Sequence, residues 1–288
     1  MTYFASHPAA FELTLLLISI VAGIVGAVLG LGGGVIVVPA LALLFGVDIH
    51  YAVGAGIVSA IATSSGAAAT YVKDHITNIR VAMLLEVGTS IGALTGALLA
   101  AYVSANFLFL LFAALLFYSA LMMLRGKAQD TGGIARVPDP LADKLRLHGS
   151  YPDAVLGRVV EYQVTHVKLG VALMFGAGLL SALLGIGSGS LKVPAMDRAM
   201  GLPIKVSSAT SNFMIGVTAA ASAGTYYMGG FILPSLAAPV ALGVIAGSWI
   251  GTRIMVRLPS AQLRKLFTIV LFLIAIQMAF KALGVKLW

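Results

Sequence analysis

Ten apolar stretches joined by short polar links govern what this 288-residue chain can become. They run approximately over 13–29, 34–46, 51–71, 81–102, 106–124, 168–184, 190–202, 206–228, 234–252 and 263–280. Several exceed the roughly 18 residues that mark a spanning helix. Only 10% of the residues are charged against 60% hydrophobic, too few charges to cover so much apolar surface in water. A bilayer removes the conflict by serving as solvent for the outside of the fold, and backbone groups must then be satisfied within helices. The chain reads as an all-α polytopic membrane protein.

The basic balance, +8 with a pI near 9.8, could suggest a nucleic-acid binder. Its Lys and Arg residues, however, gather in the links between apolar stretches, which is the positive-inside pattern and not a continuous basic face. No nucleic-acid partner is expected. The absence of cysteine excludes disulfides, thiolate metal sites and cysteine nucleophiles. Met1 to Glu12 carries no Lys or Arg, so the basic flank of a signal peptide is missing and the first apolar stretch is read as a retained part of the fold.

Two glycine-rich runs interrupt the short apolar pairs: Gly30-Leu31-Gly32-Gly33-Gly34 between 13–29 and 34–46, and Gly185-Ile186-Gly187-Ser188-Gly189 between 168–184 and 190–202. They lie 155 positions apart, and the same offset pairs Pro39 with Pro194, Gly46 with Gly201 and Thr63 with Thr218. It also pairs Thr70-Tyr71 with Thr225-Tyr226, and Gly88, Gly92 and Gly96 with Gly243, Gly247 and Gly251. This is an internal repeat. The expected organisation is a first transmembrane repeat over 1–125, a connector over 126–167 and a second repeat over 168–288. The polar linker between the repeats, with Asp130, Asp139, Asp143 and Asp153 among Arg136, Lys144, Arg146 and Arg158, is too short for an independent domain. It is expected to join the halves with one short surface helix.

Charge decides the orientation of the halves. If each glycine-broken pair is a hairpin that begins and ends on one side, three further spans make the second half upside down. The links 72–80, 125–168, 192–205 and 253–265 then share a face and hold 16 of the 18 Lys and Arg residues. If each pair is a single span, the basic links divide between the two faces. The positive-inside rule favours inverted repeats, each a broken hairpin plus three transmembrane helices, with the connector in the cytoplasm and both termini outside.

Inverted repeats broken at matching places point to a transporter binding site. A break frees backbone groups that hydrocarbon cannot satisfy, so the broken backbone must be buried in protein or line a cavity. Glycine lets a ligand approach the main chain, and the helix that follows presents free N–H groups and a positive dipole end. Gly32, Gly33 and Gly34, with Gly187, Ser188, Gly189 and Ser190, are therefore expected at an anion site; packing glycines are the bland alternative. Lys192 either meets the anion as a buried cation or snorkels to the interface. Ser211 and Asn212, with Thr63 and Ser64 of the first half, offer donors to oxyanion oxygens, although such side chains also bond to their own or neighbouring helices. Glu86, the one acid inside 81–102, could relay protons and couple transport to their gradient. The favoured reading is an interfacial ion pair with nearby Arg80.

Enzyme signatures are missing. The sequence holds no metal-ligand spacing, no G-x-x-x-x-G-K-[ST] phosphate loop and no G-x-S-x-G elbow, and neither a cofactor nor a metal is expected. The run from Gly26 to Pro39, with its second copy from Gly185 to Pro194, resembles the sulfite exporter TauE/SafE family through its G-x-G-G-G-x-x-x-V-P pattern. The resemblance implies a bacterial or archaeal-type inner-membrane permease for a small sulfur-containing anion such as sulfite or a short organosulfonate. The second copy departs from the first in carrying Ser188, Ser190 and Lys192, which makes that hairpin the more polar of the two. The expected partners are the small anion and the lipid bilayer. A passive channel or uniporter built on the same residues stays open as the alternative.

Overall fold

The computed structural model describes residues 8–100, 102–124 and 139–283, with side chains from Ala10 onward. Helix α1 (Pro8–Leu29) ends at the first glycine run, and a short helix α2 (Gly34–Pro39) leads back, continued by a π turn over Ala40–Leu44. Three long helices follow: α3 (Ile49–Lys73), α4 (Ile79–Ala100) and α5 (Ala105–Leu124). After the connector the same order recurs, with α7 (Val167–Leu184), α8 (Gly189–Pro194) and a π turn over Ala195–Ala199, then α9 (Ile204–Met228), α10 (Pro234–Arg257) and α11 (Ser260–Ala282). The connector contributes a short helix α6 (Pro140–Lys144) and an antiparallel pair, β1 (Gly149–Asp153) and β2 (Arg158–Tyr162).

Local chemistry explains where these elements change direction. Gly185 caps α7 in the left-handed conformation at φ +66, and Gly30 takes φ +70 at the end of α1, a region that costs glycine little and other residues more. Pro39 and Pro194 cannot donate an N–H to the preceding turn. In each case the helix opens into a π turn, with the N–H groups of Ala40 and Ala195 reaching two carbonyls each. Asp48 caps α3 by accepting the His50 N–H at 2.9 Å.

Each hairpin closes on itself. The Phe11 ring near the start of α1 meets Phe45 at a centroid distance of 4.9 Å. In the second, the Thr165 N–H just before α7 donates to Met200 O at 3.0 Å. The second legs therefore double back alongside the first. With their π turns they span 34–44 and 189–199, about 16 Å at 1.5 Å per residue, too short to cross a hydrocarbon core of about 30 Å.

Glycine stripes hold the helices together. Gly88, Gly92 and Gly96 of α4 press on the backbone of Val171, Phe175 and Leu179 of α7. Gly243, Gly247 and Gly251 of α10 press on Leu16, Ile20 and Ile24 of α1. The two stripes and their targets differ by the same offset of 155. Added methyl groups would strike main-chain atoms, which is how small residues let membrane helices approach.

Seven helices are long and apolar enough to cross a membrane among the described residues: α1, α3, α4, α5, α7, α10 and α11. The fold is an all-α polytopic membrane protein. Helix α9 is as long as α3 at 25 residues, but its first half is polar, and Ser207, Ser208, Thr210, Ser211 and Asn212 are all fully buried. It is covered by protein on the sides where lipid would reject those groups.

Connector residues 125–138, with Asp130 and Arg136, lie outside the described residues. The expected surface helix is α6, capped by Asp139, which accepts the Leu141 N–H at 2.9 Å. The strand pair was not expected. It is strapped to one end of the helices: Asn78 Nδ2 donates to Leu147 O at 2.8 Å and to the Tyr162 hydroxyl at 3.0 Å, and Arg80 donates to Arg146 O at 3.0 Å.

Candidate functional site

The glycine turns of the two hairpins lie tip to tip. A methyl group on Gly34 would strike Gly185 O, and one on Gly189 would strike Gly30 O. Behind the tips stand α9, with Ser208 against Gly30, and α3, with Val53 against Gly185. Gly32 and Gly187 both take φ +77 beside Ile215. Ser188 is held at φ 58 without being glycine, and its hydroxyl closes on Gly187 O at 2.7 Å.

The expected polar residues divide around this contact. The Gly33 N–H donates to Thr63 Oγ1 at 2.8 Å, and the Thr63 hydroxyl donates in turn to Ser59 O at 2.8 Å. From α9, Ser208 donates to Leu29 O at 3.2 Å, Ser211 to Gly30 O at 2.6 Å and Asn212 Nδ2 to Ala27 O at 2.8 Å. These three satisfy carbonyls left over at the C-terminal end of α1. Sequence reasoning gave Asn212 donors for an oxyanion; the structure engages its amide N–H groups with backbone, leaving Oδ1, an acceptor, buried without a partner. Ser64 stands aside, its hydroxyl 3.5 Å from Phe213 O. The Ser59 and Ser190 hydroxyls are also buried without a hydrogen-bond partner, a costly state for a polar group inside a fold.

Lys192 anchors a second group. It lies on α8 just past the glycine turn, is fully buried, and does not snorkel. Its Nζ lies 2.5 Å from Thr218 Oγ1 and 3.4 Å from Glu86 Oε2. The Thr218 hydroxyl lies 2.6 Å from Glu86 Oε1, the Ser90 hydroxyl donates to the same oxygen at 3.0 Å, and Thr89 is 3.5 Å from Thr218. Helices α4, α8 and α9 thus converge on one ion pair. This corrects the favoured reading of Glu86 as a partner of Arg80: Arg80 turns to the connector, and Glu86 turns inward to Lys192. Thr218 was missed as a contact, yet it is the repeat equivalent of Thr63, so the offset of 155 carried the signal. An ammonium and a carboxylate inside the spanning region are expensive, and such groups face the protein interior and each other.

Three further basic residues of the second half are also in ion pairs. Arg264 grips Asp197 with two bonds of 2.7 and 2.9 Å, and Arg198 sits 3.3 Å from the same carboxylate. Lys205, 2% exposed, meets Asp153 of β1 at 2.9 Å. Burial alone would raise the Asp153 carboxyl. The Lys205 ammonium and the N–H groups of Leu156 and Val155 outweigh burial and hold it below the usual carboxylate range. Beside this pair lies a cavity of about 690 Å³ lined by Asp74, Arg158 and Lys205 among others; none of its lining residues belongs to the Glu86–Lys192 group.

Apolar helices packed through glycine stripes, two broken hairpins meeting at their tips and a buried ion pair between helices are the features of a polytopic membrane transporter. The chain belongs to the sulfite exporter TauE/SafE family, whose model matches residues 15–278. It is 27% identical over 277 residues to "Probable membrane transporter protein YunE" of Bacillus subtilis (strain 168), covering 93% of this chain and 97% of that protein. It is 25% identical to "Probable membrane transporter protein YdhB" of the same strain, over 87% of this chain and 93% of the relative. A "Probable membrane transporter protein" of Xylella fastidiosa (strain 9a5c) is 27% identical, over 90% of this chain and 93% of its own length. No solved structure matches. The family and these relatives make the chain a membrane transporter and not an enzyme.

Proposed function

We propose that the chain is a secondary transporter for a small sulfur-containing anion, such as sulfite or a short organosulfonate, set in the bacterial inner membrane. The observation that carries this reading is Lys192, a fully buried cation on the second leg of a broken hairpin, next to the contact between the two tips. A cation held there is costly in a lipid-embedded fold, and it suits an anionic substrate. The bound anion sits between the hairpins, near Gly32, Gly33 and Gly34 on one side and Gly187, Ser188, Gly189 and Ser190 on the other. Thr63 and Thr218 supply hydroxyls, and the unpartnered Ser190 hydroxyl is available as a donor. Since the tips touch, the hairpins must part to admit the anion, and alternating movement of the two halves opens the site to each side in turn. The closed hairpins support halves of opposite orientation, and the gathering of Lys and Arg on one set of links supports both termini outside.

Uptake of labelled sulfite and short sulfonates into proteoliposomes tests the reading, with and without a pH gradient. Gradient-driven accumulation, reduced at least tenfold by Lys192→Met in protein that still folds, is the expected result. Equilibration without accumulation makes the chain a channel or uniporter, and full transport by the variant removes Lys192 from the site.

A further inference from the structure

Lys192 has a counter-ion already. Its ammonium is shared between Glu86 Oε2 and Thr218 Oγ1, and Thr218 also touches Glu86 Oε1, so lysine, threonine and carboxylate form a closed triangle. An anion that approaches Lys192 while Glu86 is ionised meets a second negative charge at contact distance, inside a region where like charges repel strongly. An anion that approaches while Glu86 carries a proton meets an uncompensated ammonium. The two occupants have the same charge and need the same donor.

We propose that the transported anion and the Glu86 carboxylate compete for Lys192, so that the anion binds only together with a proton on Glu86. The inference rests on the transporter reading and names its coupling. In the empty site Lys192 is paired with ionised Glu86. In the loaded site a proton from water sits on Glu86, the Lys192–Glu86 ion pair is broken, and the anion takes the carboxylate's place beside Lys192 and the Thr218 hydroxyl. Lys192 stays protonated throughout. For a monoanion the net charge of the group is zero in both states, so one proton crosses with each anion and no charge moves across the membrane. A dianion would leave the loaded group with a charge of minus one in a low-dielectric region, and the site selects against it.

Among the described residues, the other charged groups around Glu86 apart from Lys192 are engaged elsewhere or lie away from it. On its own helix Arg80 bonds to the connector. Facing helix α7 carries Lys168, exposed at its first turn. On α9, Lys205 is paired with Asp153, and Tyr226 donates to Ala182 O. Past α8, Asp197 and Arg198 belong to the Arg264 group. Of the ionic pair, Glu86 keeps about a tenth of its side chain accessible and Lys192 none.

The test uses purified full-length protein and a labelled short alkanesulfonate, a monoanion whose own charge does not change with pH. Binding is measured across pH for wild type, Glu86→Gln and Lys192→Gln, and uptake is measured with a pH gradient or a potassium diffusion potential imposed separately. The expected wild-type affinity falls as pH rises, by up to tenfold per pH unit. Uptake then follows the pH gradient and ignores the potential. Glu86→Gln, a mimic of the protonated acid, binds with the same affinity at every pH and exchanges sulfonate without accumulating it. Lys192→Gln binds weakly throughout. Wild-type affinity that does not change with pH, or uptake driven by the potential alone, overturns the inference even if the glutamine variants fail to fold. A pH slope retained in Glu86→Gln overturns it as well. Absence of sulfonate and sulfite binding by wild type at every pH fails the anion reading itself, a result distinct from uncoupled transport.

Discussion

Tyr71 on α3 and Tyr226 on α9 occupy equivalent repeat positions, and each sends its hydroxyl to a carbonyl near the end of a hairpin's first leg: Ala27 O at 3.0 Å and Ala182 O at 2.7 Å. The surroundings differ. Ala27 O also accepts from Asn212 Nδ2, whereas the residue of the first half equivalent to Asn212 is Ile57, which offers Ala182 O no second side-chain donor. Tyr226→Phe should therefore cost about 1 kcal/mol by leaving a buried carbonyl unpaired, and Tyr71→Phe less than half of that. Thermal unfolding of the two variants in one detergent checks the order; equal losses would mean that Asn212 does not back up Tyr71. Single residues were legible in the sequence in kind but not in partnership. Lys192 and Glu86 stood out as charges in apolar stretches, yet they are 106 positions apart and their pairing depends on α4, α8 and α9 converging. Asn212 stood out too, and what its amide touches is decided by where α1 ends.

At the scale of elements, the hairpins and long helices were readable because glycine, proline and unbroken apolar runs act locally. The β1–β2 pair was not. Its strands are five residues each, one contains Pro152, and the buried positions are Tyr151 and Val160, which face each other across the pair, and Asp153. Prolines and mixed charges look like an open linker until Lys205, more than 40 positions away, gives Asp153 a buried partner. That pairing makes docking of the connector pH-sensitive. Asp153 has a folded pKa below its ordinary value of about 3.9, so its contribution is complete above about pH 4 and is lost as pH falls through the lowered value. Amide hydrogen exchange over 149–162 should be slow at neutral pH and accelerate on acidification before the spanning helices open. Asp153→Asn should bring fast exchange at neutral pH, since breaking a buried pair costs on the order of 3 kcal/mol. Unchanged protection in this variant would show that the Asn78 and Arg80 bonds alone hold the connector in place.

For the whole molecule, the same offset that aligns the glycine runs also aligns contacts that the sequence could not reveal. Gly88, Gly92 and Gly96 reach α7 of the other half, and Gly243, Gly247 and Gly251 reach α1. Each broken hairpin is thus packed on a long helix of its opposite number, and the halves are interleaved rather than set side by side. Parallel and inverted arrangements of these elements place two turns differently. If each hairpin returns to its starting side, the α4–α5 turn near Tyr102 and the α9–α10 turn near Gly230 open on one face. The connector and the α10–α11 turn then open on the other. If each broken pair is a single span, Tyr102 and Gly230 face opposite sides. The chain has no cysteine, so single substitutions report without background. Tyr102→Cys and Gly230→Cys should both react with a membrane-impermeant maleimide in intact cells, while Lys144→Cys and Ala261→Cys react only after lysis. Labelling of Tyr102→Cys without Gly230→Cys would restore the parallel arrangement. It would also set the two broken elements in the same orientation, so that alternating access would have to arise between parallel halves.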